Sequence, residues 1–296
     1  MTGLLQLVFD GVVVGAVLAL AAAGVSLVYG GLRIINFAQG DYMTLGAYVA
    51  LGVSSGLRLG MVAGVAAATL CTSAFAVVLE PVLWRPLRRA RAGVLSLFVT
   101  AVGLSLVLRQ GILFAAGGGF QQYRVDAYSA WQVSGLRFPT EEVVAGAAAL
   151  AAILTLATLL SRTQLGKALR GLADSPELTA ISGIDPDRLA VVVWALAGAL
   201  AGLSGVLLAL VETSFDTNLG WDQLLTVFCA VVLGGIGSTY GALIGGIVLG
   251  LVMELATWSG FAGGVPASYQ LVVAFVALVA VLLVRPTGIL GRSRIL

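Results

Sequence analysis

The residues of this chain that could do chemistry are few, and they cluster. The densest stretch is Arg33 to Tyr48, RIINFAQGDYMTLGAY, which sets Asn36, Gln39, Asp41 and Thr44 between two apolar runs. A helix from Asp41 would bring Asp41, Thr44 and Tyr48 onto or near one face. Amides and carboxylates are costly in lipid unless paired or wet. Two readings follow. The group lines a polar gate or pathway, or it marks a capped helix start at the interface with Asp41 as N-cap. Thr100 and Ser105, flanking Gly103 in a later apolar run, either line a cavity or bond back to their own helix. Glu80, Arg109 and Glu254 lie in or beside apolar runs. They either snorkel to the interface or, for Arg109 and Glu254, pair between helices. None is placed clearly mid-membrane, which weighs against an ion-driven carrier.

Several chemistries are absent. The chain has no histidine, so His-based metal sites, proton relays and Ser-His triads are excluded. Cys71 and Cys229 both sit in apolar runs and read as small buried hydrophobes. No disulfide framework, metal set or paired-carboxylate site is expected. A phosphate-binding loop needs G-x-x-x-x-G-K-[ST]. Lys167 is the only lysine, in Leu165-Gly166-Lys167-Ala168, which lacks both the first Gly and the Ser/Thr. The chain is therefore not expected to bind or hydrolyse ATP itself, and no cofactor is expected on it.

What must position these residues is a membrane bundle. Of 296 residues, 59% are hydrophobic and 10% charged, against about 25% charged in a soluble domain. Lipid must be the solvent. The net charge of +2 says little, and the basic residues cluster at span ends, so nucleic acid is not a partner. The N-terminus, MTGLLQLVFDGVV, has no positive n-region, and the first span is expected to be retained. A span needs about 20 apolar residues. Candidates are 8–29, 38–57, 60–83, 93–116, 142–160, 189–211, 222–236, 239–258 and 267–284. The second is interrupted early by Gly40-Asp41. The seventh and eighth, separated by Gly234 to Ser238, are either two spans or a re-entrant hairpin. The expectation is an all-α polytopic bundle of about eight or nine spans, one domain over 1–296.

Positive charge orients it. Arg85, Arg88, Arg89 and Arg91 fall between the third and fourth spans. Arg162, Lys167, Arg170 and Arg188 fall in 161–188, and Arg285, Arg292 and Arg294 after the last span. With nine crossings these lie on one side together with Arg33, the cytoplasmic one. The opposite segments, with Arg124 and Arg137 beside Asp126, Glu141 and Glu142, are poorer in positive charge. The N-terminus is then outside and the C-terminus in the cytoplasm. GAVLALAAAGVSLVYG, a polar bend and GAYVALG resemble ALAGALAGLSGVLLAL, a bend and VFCAVVLGG. The copies start on opposite sides, which suggests an inverted repeat.

The polar interruption 161–188 carries helix signals of its own. Ser175 reads as an N-cap, Pro176 as the first helical residue and Glu177 as a first-turn acid. Gly183 reads as the stop. This predicts a short helix over about 176–182, and Asp185-Pro186 repeats the start signal. The stretch is a solvated connector or a docking element.

LVYGGLRIINFAQGDYMTLGAYVA resembles the first block of the LivH-like permease subunits of branched-chain amino-acid ABC transporters. LEPVLWRPLRRARAGVLSLFVTAVGLSLVLRQ, FCAVVLGGIGSTYGALIGGIVLG and VRPTGILG are similar to three further blocks, in family order across nearly the whole chain. Gln39 stands where the family commonly has His. The resemblance implies a transport subunit rather than an enzyme, in a bacterial or archaeal cytoplasmic membrane. It implies a second, LivM-like permease, two ATP-binding subunits that carry the ATP, and an extracytoplasmic solute-binding protein. Asn36, Gln39, Asp41, Thr44, Thr100 and Ser105 become pathway candidates. Loop 161–188 is similar to a permease coupling loop, with Ser175, Pro176, Glu177, Ala180, Gly183 and Ile184 meeting the ATPase. Urea and amide permeases share these blocks. An ion-coupled carrier acting alone is the competing class.

Overall fold

The computed structural model describes residues 2–123, 130–133, 136–258 and 264–291. Arg124, Asp126, Arg292 and Arg294, used above for orientation, lie outside the described residues. The nine apolar stretches fold as α1 (Thr2–Leu32), α2 (Gln39–Leu51), α3 (Met61–Leu79), α5 (Val94–Ala116), α6 (Thr140–Arg162), α9 (Pro186–Val211), α10 (Leu219–Gly234), α11 (Thr239–Ala256) and α12 (Gln270–Val284). The short helices α4 (Arg85–Arg89), α7 (Gln164–Asp174) and α8 (Pro176–Ile181) lie between them. Among the described residues, six helices are long and apolar enough to cross a membrane. Helix α10, with 16 residues, is only about 24 Å long, against a hydrocarbon core of about 30 Å.

Helix α1 is apolar on all sides and is therefore buried on all sides. Every side chain from Ala16 to Ala23 is at most 1% exposed. Its small residues let α11 come close. A Cβ on Gly250 would lie 2.3 Å from the Gly15 Cα. The same device joins α3 to α9, where Gly198 and Gly202 face Thr72 and Ala76. In lipid, where apolar burial drives no helix association, such close packing supplies the attraction.

The inverted repeat is present. Helices α1, α2, α3 and α5 correspond to α9, α10, α11 and α12. Arg33 and Thr213 both adopt φ 58° at the break after the first helix of each half. Next comes one and the same side-chain turn. Ala38 N donates to Asn36 Oδ1 at 3.2 Å, and Asn218 N donates to Asp216 Oδ1 at 2.8 Å. The second helices then start at Gln39 and Leu219. One offset of 180 positions relates all three pairs. The end of α1 and the start of α9 lie at the same, arginine-rich end of the bundle. There Arg33 Nη2 donates to Ala173 O at 3.4 Å, and Arg85 pairs with Asp187. The two halves therefore run in opposite senses.

Two expectations are corrected. Gly40-Asp41 does not interrupt the second span, because α2 runs through it from Gln39. Asp41 is not an N-cap; Ala38 holds that position and makes no side-chain cap. The all-α expectation holds for the bundle, to which one short antiparallel hairpin is added, β1 (Ala130–Val133) with β2 (Leu136–Pro139). Phe138 of β2 meets Phe9 of α1 edge to face at 4.9 Å.

Candidate functional site

Five of the six pathway candidates come together. Asn36, Gln39, Asp41, Thr44 and Ser105 are each 0% exposed. Asn36 Nδ2 donates to Gln39 Oε1 at 3.3 Å, and Gln39 Nε2 donates to Ala197 O of α9 at 3.4 Å. Gly24 of α1 leaves room for that amide, since a Cβ there would lie 2.4 Å from Gln39 Nε2. Thr44 Oγ1 bonds Gly40 O at 3.3 Å and accepts from Gly220 N of α10 at 3.0 Å. Each amide and hydroxyl thus finds a partner inside the bundle, as a lipid-embedded polar group must. Thr100 stays apart. Its hydroxyl bonds back to Ser96 O at 2.8 Å, the self-bonding alternative. Tyr48 also leaves the cluster and meets the Phe215 ring at 5.5 Å.

Asp41 is the charged member. Its carboxylate accepts from the Ser105 hydroxyl and from Arg109 Nε at 3.2 Å. Arg109 also lies over the Trp221 ring of α10, 3.9 Å from its centroid. The Arg109–Glu254 pair considered from sequence does not form. Arg109 is held one turn above Ser105, facing α2, whereas Glu254 accepts from Gln270 Nε2 at 3.2 Å. A charged pair, Asp41 with Arg109, therefore sits inside the bundle. Its two charges offset each other. Trp221 carried no sequence signal, since an aromatic ring in an apolar run reads as core.

Glu80 does not snorkel either. It is 1% exposed and pairs with Arg88, beside the stacked Trp84 and Trp194 rings, whose centroids are 5.0 Å apart. Asp187, in the first turn of α9, binds Arg85 at 2.6 Å and Arg89 at 3.0 Å. The arginine loop is thus tied to the C-terminal end of the polar interruption.

In that interruption, α7 is amphipathic. Thr163 caps it by accepting from Gly166 N at 3.2 Å, and Leu169 and Leu172 are buried. The sequence reading marked no separate start for it. Helix α8 follows as anticipated. Ser175 Oγ accepts from Leu178 N at 3.3 Å, and Pro176 opens the helix. Gly183 at φ 82° closes it. Ile184 N donates to Thr179 O at 3.2 Å and Gly183 N to Ala180 O at 3.0 Å, the paired bonds of a left-handed helix stop. Asp185 Oδ1 then accepts from Asp187 N at 2.9 Å to start α9. Helix α8 leaves Leu178 66% and Ile181 82% exposed, with Ile184 at 39%. Sequence reasoning named Ser175, Pro176, Glu177, Ala180, Gly183 and Ile184 but not Leu178 or Ile181. Their i, i+3 spacing within the short helix expected over 176–182 was the available signal. An open groove of about 300 Å³ runs between α7 and α8 past Lys167, Gly171, Leu178 and Thr179.

Residues 7–282 match the family described as "Branched-chain amino acid transport system / permease component". The chain is 31% identical over 305 residues to the high-affinity branched-chain amino acid permease LivH of Escherichia coli K12, covering 98% of this chain and 96% of that one. It is 31% identical to BraD of Pseudomonas aeruginosa, covering 98% and 97%. It is 30% identical to the probable LivH of Methanocaldococcus jannaschii, covering 97% and 92%. Among solved structures, PsaBC of Streptococcus pneumoniae in complex with Fab has the same fold, with a TM-score of 0.52 at 13% identity over 97% of this chain and 93% of that one. The apolar helices and these relatives make this a multi-pass membrane protein with a transport role rather than a catalytic one. With the four sequence blocks, the repeat and the capped helix α8 all in place, the chain belongs to the branched-chain amino acid transport system permease family.

Proposed function

We propose that this chain is one permease subunit of an ATP-binding-cassette importer and carries branched-chain or related amino acids across the cytoplasmic membrane. It works beside a second permease. Two ATP-binding subunits supply the ATP, and a solute-binding protein delivers substrate from outside. The observation that carries this reading is α8. A six-residue helix capped at both ends is rigid, and it holds out Leu178, Ile181 and Ile184 at the arginine-rich end. Apolar side chains so exposed on a polar loop favour a protein partner. The network Arg85–Asp187–Arg89 ties α8's exit to the α3–α4 end, which gives a push on α8 a path into the spans.

In this reading the arginine-rich end faces the cytoplasm, the N-terminus lies outside, and residues 1–296 act as one transmembrane domain with 161–188 as its coupling loop. Asn36, Gln39, Asp41, Thr44 and Ser105 form the polar hub that rearranges as the pathway opens and closes. Thr100, bonded back to its own helix, takes no part in it. The chain needs no cofactor of its own.

The test is reconstitution of the chain with its three partner subunits and binding protein in liposomes. ATP-dependent accumulation of labelled leucine is expected. Uptake driven by an ion gradient by the chain alone would sink the reading.

A further inference from the structure

We infer that Arg109, backed by Asp41, Ser105 and Trp221, is a docking point for the two charged groups of an α-amino acid in transit, with the carboxylate going to the Arg109 guanidinium and the ammonium to Asp41. The inference rests on the amino-acid reading above.

Four elements of geometry carry it. First, the Asp41 side chain is 1% exposed, while Arg109 keeps 12% exposure, so the site is open on the arginine side. Second, the guanidinium is under-used. A guanidinium offers five N–H donors. Arg109 spends Nε on Asp41 and Nη2 on Ser105 Oγ at 3.3 Å, and neither bond engages Nη1. A membrane-embedded arginine with spare donors is set up to receive an anion, and a carboxylate fits its fork with two bonds. Third, Trp221 covers one face of the cation at 3.9 Å and is itself 39% exposed, which leaves ring surface beside the fork for an apolar side chain. Fourth, the charges around Arg109 select a zwitterion. Asp41 contacts it from α2, and Asp222 of α10 lies within electrostatic reach. A simple anion arriving at Arg109 meets repulsion from both carboxylates. A simple cation arriving at Asp41 meets Arg109. An α-amino acid carries both charges a few bonds apart and can exchange with the internal pair one partner at a time. When the site is empty the internal pair re-forms, and no charge is left buried alone, the state that destabilises most.

The test uses the complete transporter in liposomes, with L-leucine supplied on the binding protein. R109Q and D41N are each expected to lower ATP-dependent uptake by about 10- to 100-fold, the worth of one charge-assisted hydrogen bond. ATPase stimulation by the loaded binding protein should persist in both. Should R109Q fail to assemble, R109K keeps the charge but lacks the fork, and is expected to assemble and still lose uptake by about tenfold. The double swap D41R/R109D rebuilds the pair in reverse. If the pair only holds α2 to α5, the swap restores uptake; if it docks substrate, uptake stays low, because the polarity against Ser105 and Trp221 is inverted. Wild-type uptake in R109Q or R109K, or recovery in the swap, overturns the inference. If the wild-type transporter accumulates no α-amino acid at all, the proposed function fails instead.

Discussion

Gly40 and Gly220 meet backbone to backbone where α2 crosses α10. A Cβ on Gly40 would lie 2.3 Å from Gly220 O, and a Cβ on Gly220 would lie 1.8 Å from Gly40 O. The two glycines hold equivalent places in the two inverted halves. The pseudo-symmetry axis of the fold therefore passes close to the polar hub, and the Gly220 N to Thr44 Oγ1 bond fastens the crossing.

Alanine at either glycine forces the two helices apart. Overpacking of this kind costs about 1–3 kcal/mol, and the neighbouring backbone cannot yield as a flexible side chain would. G40A and G220A are each expected to lower the apparent Tm of the detergent-purified complex by several degrees and to suppress uptake. G103A makes a control on α5, since nothing lies within 4 Å of a Cβ there. Equal stability of all three variants would show that the close crossing is not needed.

The ion network at the arginine-rich end has one buried and one half-exposed acid. Losing one partner of a buried pair costs about 3–5 kcal/mol, whereas exposed pairs are worth about 0–1 kcal/mol. E80A removes the buried acid and leaves Arg88 only its longer, 3.6 Å contact with Asp187, and should therefore destabilise the protein more than D187A. Thermal melts of the two variants check this, and a larger loss in D187A would contradict it.

The exposed apolar side chains of α8 make a prediction separable from folding. I181D and L178A alter groups that touch little of this subunit, so each variant should insert and fold normally. Co-purification of the ATP-binding subunits should fall. G183P should have a stronger effect, because Gly183 sits at φ 82° and proline is fixed near −65°. Normal assembly in I181D and G183P together would remove α8 from the coupling interface.

Orientation is open to labelling. Arg89 is 66% exposed at the arginine-rich end, and Gln122 is exposed near the Gln121–Phe215 bridge at the other. Single cysteines introduced at these positions should react with an impermeant maleimide from opposite sides, R89C from the cytoplasm. Labelling of both from one side would break the topology.

Much of this architecture was legible from residues alone. The ends of α5 and α9 fall within a few positions of the apolar runs 93–116 and 189–211, because a span must satisfy its own backbone in lipid and only a continuous apolar helix does so. Helix α8 was legible because Ser175, Pro176 and Gly183 act on their nearest neighbours, with bonds three to five residues long. The amphipathic α7 was less so. Its Thr163 cap is equally local, but it follows α6 after a single residue, and the break is a change of direction that composition does not register.

Partner choice was different in kind. Residues alone established that this is a multi-pass bundle, that 161–188 carries a short capped helix, and that Asp41 must be paired or wet in lipid, while Arg109 had two outlets, the interface or a partner helix. Those follow from solvent and from local geometry. Only the tertiary structure decided that the partner of Arg109 is Asp41, 68 positions away, rather than Glu254, and that Thr100 faces away while Ser105 faces in. A buried charge specifies that it must be neutralised but not by which residue. That depends on the depth and rotation of each helix, and these are set by close approaches such as Gly40 on Gly220 and Gly15 on Gly250, which no single helix encodes.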